Sequence, residues 1–294
     1  MGMAGKPVVG IIGGSGVYDL EGLTDKQWRT VDTPWGRPSD QLLFASLDGA
    51  PVVFLPRHGR GHPLSPSGIN YRANIDALKR SGVTEIVSVS AVGSLREDLP
   101  PGRFLLVDQY IDRTFAREKS FFGNGCVAHV SVAHPVCGRL GRHLLQAAAE
   151  SGIDMVAGGT YLAMEGPQFS TLAESKLYRA WGCDVIGMTN MPEAKLAREA
   201  ELCYASVAMV TDYDCWHPEH DHVTVEQIVK VLLSNADKAR GLVRAVVPLL
   251  QARDAACGQG CHTALDHALI TAPDQRDPLL VGKLDAVAGR VLAK

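Results

Sequence analysis

The chain has no run of Lys or Arg, no long apolar stretch and no low-complexity block, and each absence removes a class of function. With a formal charge of -3 and a pI near 6.4 it carries no basic stripe for nucleic acid and no cationic helix for a membrane surface. A small molecule is the expected ligand. No apolar run approaches the roughly 18 residues of a membrane span, because even the helical pattern over 223–250 is broken by Lys and Arg. The N-terminus M-G-M-A-G-K places Lys6 where a myristoylation signal wants Ser or Thr, and no targeting segment follows; a cytoplasmic location is expected. A C-x-x-C pair is missing too. Seven cysteines, an odd number, are scattered mostly through apolar segments, as reduced buried thiols would be. The one cluster, Cys257 and Cys261, has no second ligand pair nearby in sequence, so no metal is expected and the two are read as incidental.

What is present is core and alternation. At 294 residues, 46% hydrophobic and 21% charged, the chain can bury one large core. Short β-type runs recur at 7–12, 51–55, 83–90, 104–111, 184–188 and 203–210, and helical periodicity at 69–80, 136–151, 172–181, 192–201 and 223–250. This alternation predicts an α/β fold: a single domain with a mixed central β-sheet flanked by α-helices. The domain is expected over 1–253, followed by a less patterned tail over 254–294 that is either mobile or laid over the site.

Several strand ends carry candidate chemistry. The run over 205–210 ends in Thr211-Asp212-Tyr213-Asp214, and in extended backbone carboxylates at i and i+2 lie on one side of the chain. Ligands of open α/β sheets lie at the carboxyl ends of strands, where such a pair can read a donor and protonate a leaving group; a loop pair capping the next helix fits equally well. Gly13-Gly14-Ser15-Gly16 follows the first strand and frees N–H groups for an anion, although the third glycine of G-x-G-x-x-G falls at Asp19 and no phosphate-loop Lys is present. Arg57-His58-Gly59, with His62 four residues beyond His58, offers a planar fork and a second donor, and Ser90-Ala91-Val92-Gly93-Ser94 offers further hydroxyls. Thr189 is placed to bind the same anion, Met188 to lie against a sugar face, and Phe169, after Gly166 and Pro167, to stack on a base. Taken alone, Arg57 and His58 fit a surface Arg and a satisfied His, and Phe169 fits a core position.

In this order, G-G-S-G, R-H-G-R-G-H, S-A-V-G-S-L-R, E-G-P-Q-F-S, G-M-T-N-M-P-E and T-D-Y-D-C-W resemble the trimeric purine nucleoside phosphorylase superfamily over about residues 8–250, and within it the branch that acts on 5′-methylthioadenosine. D-T-P-W-G-R-P-S-D at 32–40 and V-D-Q-Y-I-D-R-T at 107–114 are similar to it as well. The resemblance implies phosphorolysis to adenine and 5-methylthioribose 1-phosphate, with inorganic phosphate as co-substrate and no cofactor. It implies that Ser15, Arg57, His58, Ser90, Ala91 and Thr189 hold phosphate, Met188 the ribose, Phe169 the base, and Asp212 and Asp214 the purine edge. His129 matches a position given to a neighbouring subunit's pocket, which implies a homotrimer; His62, Val225 and Ile228 are expected beside the nucleoside. The carboxylate pair favours a 6-amino over a 6-oxo purine, since carboxylates accept from N6–H. Ser15 and Ser90 stand where the family often has Thr, which preserves the hydroxyl, and the tail departs from the pattern. A methylthioinosine or general purine nucleoside phosphorylase, and a non-catalytic nucleoside binder on the same fold, are the alternatives.

Overall fold

In a computed structural model of the chain, residues 6–14, 16–218, 225–252 and 257–293 are described, with residues 225–230 and 232 as backbone only. The strands are β1 (Val8–Gly13), β2 (Leu23–Arg29), β3 (Leu42–Leu47), β4 (Ala50–Pro56), β5 (Val83–Ser94), β6 (Phe104–Val107), β7 (Gln109–Asp112), β8 (Met155–Ala157), β9 (Thr160–Ala163), β10 (Val185–Gly187) and β11 (Cys203–Asp212). The helices are α1 (Tyr71–Arg80), α2 (Gly138–Glu150), α3 (Leu172–Ala180), α4 (Glu193–Glu199), α5 (Val225–Gln251), α6 (Pro278–Lys283) and α7 (Asp285–Leu292). Among the described residues no helix is long and apolar enough to cross a membrane.

The strands form one mixed sheet, as expected. One path runs β2-β3-β4-β1-β5-β10-β9-β7, and β11 pairs with both β5 and β6, with β8 beyond β6. β1, β4, β5 and β11 are parallel neighbours, whereas β10 meets the far end of β5 antiparallel at Gly93 and Ser94. β5 is therefore shared between two branches, and its apolar run, buried on both faces, lacks the alternation of a half-exposed strand. Two apolar layers cover the sheet. One gathers Ile75, Leu78, Leu196 and Val287 from α1, α4 and α7; the other gathers Leu140, Leu144, Val243 and Val247 from α2 and α5.

Capping explains several helix starts. Asn70 accepts from Ala73 N at 3.1 Å, and Thr171 with Glu174 closes a reciprocal capping box on α3. Asp277 accepts from Leu279 N at 2.9 Å with Pro278 in the first turn of α6. The tail that lacked a clear pattern thus folds into short helices, and Leu284, Val287 and Ala288 enter the main core. Arg290 locks it by pairing with buried Glu201.

Two local expectations are corrected. The chain is not extended through both carboxylates: the β5–β11 register slips between Val210 and Asp212, and Asp214 takes a left-handed φ of 53° in the following turn. Cys257 and Cys261 do not stand alone either. The fold brings Cys137, before α2, and Cys203, at the start of β11, against them from the other side of a large sequence gap, so the expectation of no second ligand pair fails.

Candidate active site

The parallel register dictates which residues meet. Gly13 pairs with Pro56, and Arg57 N donates to Gly13 O at 2.9 Å, so the glycine turn and the Arg57 loop leave the sheet side by side. Ile12 pairs with Ser88, and Gly93 pairs with both Asp212 and Ile186, bringing the carboxylates and the end of β10 to the same edge. Arg240 of α5 holds the carbonyl of Gly16, whose φ of 96° suits a residue without a side chain. Ser15 lies outside the described residues.

Arg57 is 2% exposed and most of its fork is committed inside the protein. Nε and Nη2 donate to the Glu193 carboxylate at 3.0 and 3.2 Å, Nη2 also donates to Ser88 Oγ, and Nη1 donates to Val89 O at 3.0 Å. Of the five N–H donors of a guanidinium, one on Nη1 is left. Burial pushes the Glu193 carboxyl up, but Arg57, Ser88 and Tyr204 outweigh it and hold the group ionised below its usual range. Glu193 is thus the foundation of this corner. Glu193 ends the G-M-T-N-M-P-E run, and nothing in that run signals its pairing with Arg57, 136 residues away.

His58 is half-buried, with Nδ1 2.9 Å from Leu64 O and its ring stacked on His62 at 4.1 Å between centroids. Burial, reinforced by the charge of Arg57 and by His62, pushes its pKa down to about 4. Near neutral pH the ring is uncharged, and since Nδ1 must donate to the carbonyl, Nε2 is an acceptor. It therefore suits the P–OH of a hydrogenphosphate better than a fully ionised oxygen. Ser90 and Thr189 are both buried, and between them Asn190, at φ 66°, reaches Ser90 at 3.4 Å and also donates to Ser206. Thr189 is braced by the Tyr161 hydroxyl at 3.5 Å.

Asp212 has both carboxylate oxygens engaged: Oδ2 accepts from Thr211 at 2.7 Å and Oδ1 from Asp214 N at 2.8 Å. Burial raises its pKa against these bonds. Asp214 is 5% exposed, and its Oδ2 is buried without a hydrogen-bond partner. Burial raises its pKa to about 6, Asp212 pushing in the same direction while Ser175 and Ser170 oppose. An unpartnered buried carboxylate oxygen is costly unless a ligand meets it. The turn is anchored by Trp216, whose Nε1 donates to Ser94 O at 2.7 Å while Arg179 lies 3.5 Å over its ring.

The loop bearing Phe169 is held at its base. Buried Arg117 donates to Glu165 O at 2.8 Å and to Met191 O at 2.7 Å, and Glu165 accepts from Phe115 N at 2.6 Å. A Cβ on Gly166 would sit 2.5 Å from Met188 Sδ, so this glycine is what allows the loop to close on Met188. Phe169 itself is 51% exposed, which excludes the reading of it as a core residue. His129 is exposed, its backbone tied to Ala268 O at 2.8 Å on a short ladder in which Ala128 pairs with Leu269. The side chains of Val225 and Ile228 lie outside the described residues.

A family model described as the phosphorylase superfamily matches residues 8–248. An S-methyl-5′-thioadenosine phosphorylase of Rhodospirillum rubrum is 66% identical over 287 residues, 98% of each chain. The chain belongs to the phosphorylase superfamily and, within it, to the S-methyl-5′-thioadenosine phosphorylases. A relative of the same description from Koribacter versatilis is 54% identical over 96% of each chain. Among solved structures, a methylthioadenosine phosphorylase from an antarctic soil metagenomic library superposes with a TM-score of 0.91 at 46% identity, covering 96% of this chain and 99% of that one. Methylthioadenosine phosphorylase from Schistosoma mansoni in complex with adenine gives 0.79 at 40% identity, covering 85% and 93%.

Proposed function

We propose that this chain cleaves 5′-methylthioadenosine with inorganic phosphate, giving adenine and 5-methylthioribose 1-phosphate. The observation that carries this reading is Asp214: a buried carboxyl with an unpartnered oxygen and a pKa raised to about 6, beside Asp212 at the sheet edge. A phosphate oxygen attacks C1′ as the C1′–N9 bond breaks; positive charge builds on the sugar and the bond's electron pair enters the purine. The Asp214 carboxyl shares its proton with N7 as that charge arrives, and Asp212, held by Thr211 and the Asp214 N–H, keeps Asp214 from ionising easily. The ionised member of the pair accepts from N6–H.

Phosphate sits between the Ser90, Ala91 and Thr189 backbone and hydroxyls, with Ser15 contributing from the glycine turn. It takes the remaining N–H of Arg57 and gives its P–OH hydrogen to His58 Nε2. Met188 lies against the ribose and Phe169 on the base. His62, Val225 and Ile228 complete the nucleoside side, and His129 serves the 5′-substituent of a neighbouring subunit in a homotrimer. No further cofactor enters the reaction, which suits a cytoplasmic enzyme of methionine and purine salvage.

The test is adenine release from methylthioadenosine with and without phosphate, alongside methylthioinosine. Release should require phosphate and favour the 6-amino substrate by about tenfold to a hundredfold, the cost of facing an acceptor with an acceptor. Equal release in phosphate-free buffer would replace phosphorolysis with hydrolysis.

A further inference from the structure

The strongest feature that the reaction does not use is a knot of four buried cysteines on the α2 side of the sheet. Cys137 precedes α2, Cys203 opens β11, and Cys257 and Cys261 flank a Gly-Gln-Gly turn in which Gly260 takes the left-handed φ of 63°. The four Sγ atoms all lie within 4.8 Å of one another, and Cys257 is 3.4 Å from both Cys137 and Cys261. None is joined in a disulfide. We propose that Cys137, Cys203, Cys257 and Cys261 form a tetrathiolate site for one structural zinc ion.

The geometry argues for a metal rather than for two disulfides. A tetrahedral ion with Zn–S bonds of about 2.3 Å sets its ligand sulfurs roughly 3.8 Å apart, and the separations here bracket that value. Disulfide pairing needs each sulfur near one other; here each is near three. The Cys257–Cys261 pair, with three intervening residues, falls in the usual ligand spacing of two to four, and the second pair comes from the remote starts of α2 and β11. All four cysteines are at most 6% exposed, which closes the coordination sphere to substrate and makes the site structural.

The surroundings carry the charge that such a centre needs. Four thiolates around a divalent ion leave two negative charges, and Arg139, 11% exposed, donates to Cys203 Sγ at 3.5 Å while pairing with Glu85 at 2.8 Å. Its Nε and Nη1 are buried without hydrogen-bond partners, so the guanidinium that touches Cys203 has donors to spare. Cys137 also lies at the positive end of α2. The ion would rivet the segment after 257 to both α2 and β11. That segment in turn carries Ala268, whose carbonyl holds the backbone of His129.

The test is metal analysis of the full-length chain purified without a chelating tag from zinc-supplemented cells. About one zinc per chain is expected, released by a mercurial in step with four thiols, and cobalt substitution should give thiolate-to-metal charge-transfer bands. Cys257→Ser with Cys261→Ser should lower bound zinc about tenfold and the unfolding midpoint by roughly 5 °C or more, while Cys126→Ser, in the opposite layer, should leave the metal in place. Wild-type chain that binds no zinc and shows all seven thiols free would overturn the proposal, as would thiols lost in pairs to disulfides or bound iron in place of zinc. Should the double variant fail to fold, the wild-type metal and thiol counts decide alone. The outcome is independent of whether the chain cleaves methylthioadenosine.

Discussion

At the scale of single residues, the site is built on groups whose charge state burial has disturbed. Asp214 has a folded pKa raised to about 6, above the 3.8 of a free carboxyl, so the folded state holds its proton more tightly than the unfolded chain does. The sign follows directly: folding is penalised above pH 6, and the penalty fades as pH falls towards 3.8. Its ceiling is about 3 kcal/mol, one pKa unit being worth about 1.4. Asp214→Asn should therefore raise the unfolding midpoint at pH 8 and lose that advantage near pH 4, while lowering kcat and flattening the fall in rate above pH 6. Thermal scans at the two pH values and a pH–rate profile check this. A variant that is less stable at pH 8 would mean that Asp214 has an internal partner. Arg57 behaves in the opposite way. Removing it would strand the buried Glu193, so Arg57→Ala should cost about 3–5 kcal/mol of stability besides weakening phosphate, whereas Ser90→Ala should raise the phosphate KM with little change in the midpoint.

At the scale of elements, the strand ends were legible because an apolar run that stops at Gly, Asp or Arg marks both a strand and its functional edge. The runs that became β1, β4, β5, β10 and β11, and helices α1 to α5, all appear within a few residues of their expected bounds. The β2–β3 hairpin was not visible. Leu-Thr-Asp-Lys-Gln-Trp-Arg is mostly exposed, so its pairing rests on the edge of β3 rather than on any apolar alternation. The turn at Asp214 was hidden too, because a bulge and a left-handed residue reverse the side-chain direction that spacing alone implies. The same corner explains Gly93. A Cβ there would stand 2.9 Å from Asp212 Oδ1 and 3.3 Å from Asp214 Cβ. Because Asp212 Oδ1 is held by the Asp214 N–H and Ile186 Cγ2 stands 3.2 Å away on another side, Gly93→Ala should cost stability, though only about 1–3 kcal/mol. It should also lower kcat by about a hundredfold through displaced carboxylates. A variant with wild-type kcat would show that the pair tolerates that shift.

At the scale of the whole molecule, the candidate site is unequally complete. The proposed phosphate and base groups among the described residues come from four strands of one chain, β4, β5, β10 and β11, but His129 stands exposed on a ladder where Ala128 meets Leu269, with Val132 39% exposed and Ile270, next to Leu269, 61% exposed. Phe115, at 82%, adds another apolar side chain facing outwards. In the proposed homotrimer a second subunit covers this surface, and a closed ring of head-to-tail contacts would carry each His129 into the next chain's pocket. No pattern in one sequence shows which residues cross such a boundary, since periodicity reports only burial within the chain. Mixed assembly separates the two cases. His129→Ala should raise the KM for methylthioadenosine while leaving that for phosphate nearly unchanged, and Asp214→Asn should abolish most turnover. When the two variants are dissociated, mixed in equal amounts and reassociated, a site with its own Asp214 and a neighbour's His129 is fully wild type. Random exchange in a cyclic trimer produces that combination in roughly a quarter of the sites. Recovery of wild-type KM in that fraction, with a trimer by light scattering, is the expected result; activity equal to the sum of the unmixed variants would place His129 in its own chain's site or in none.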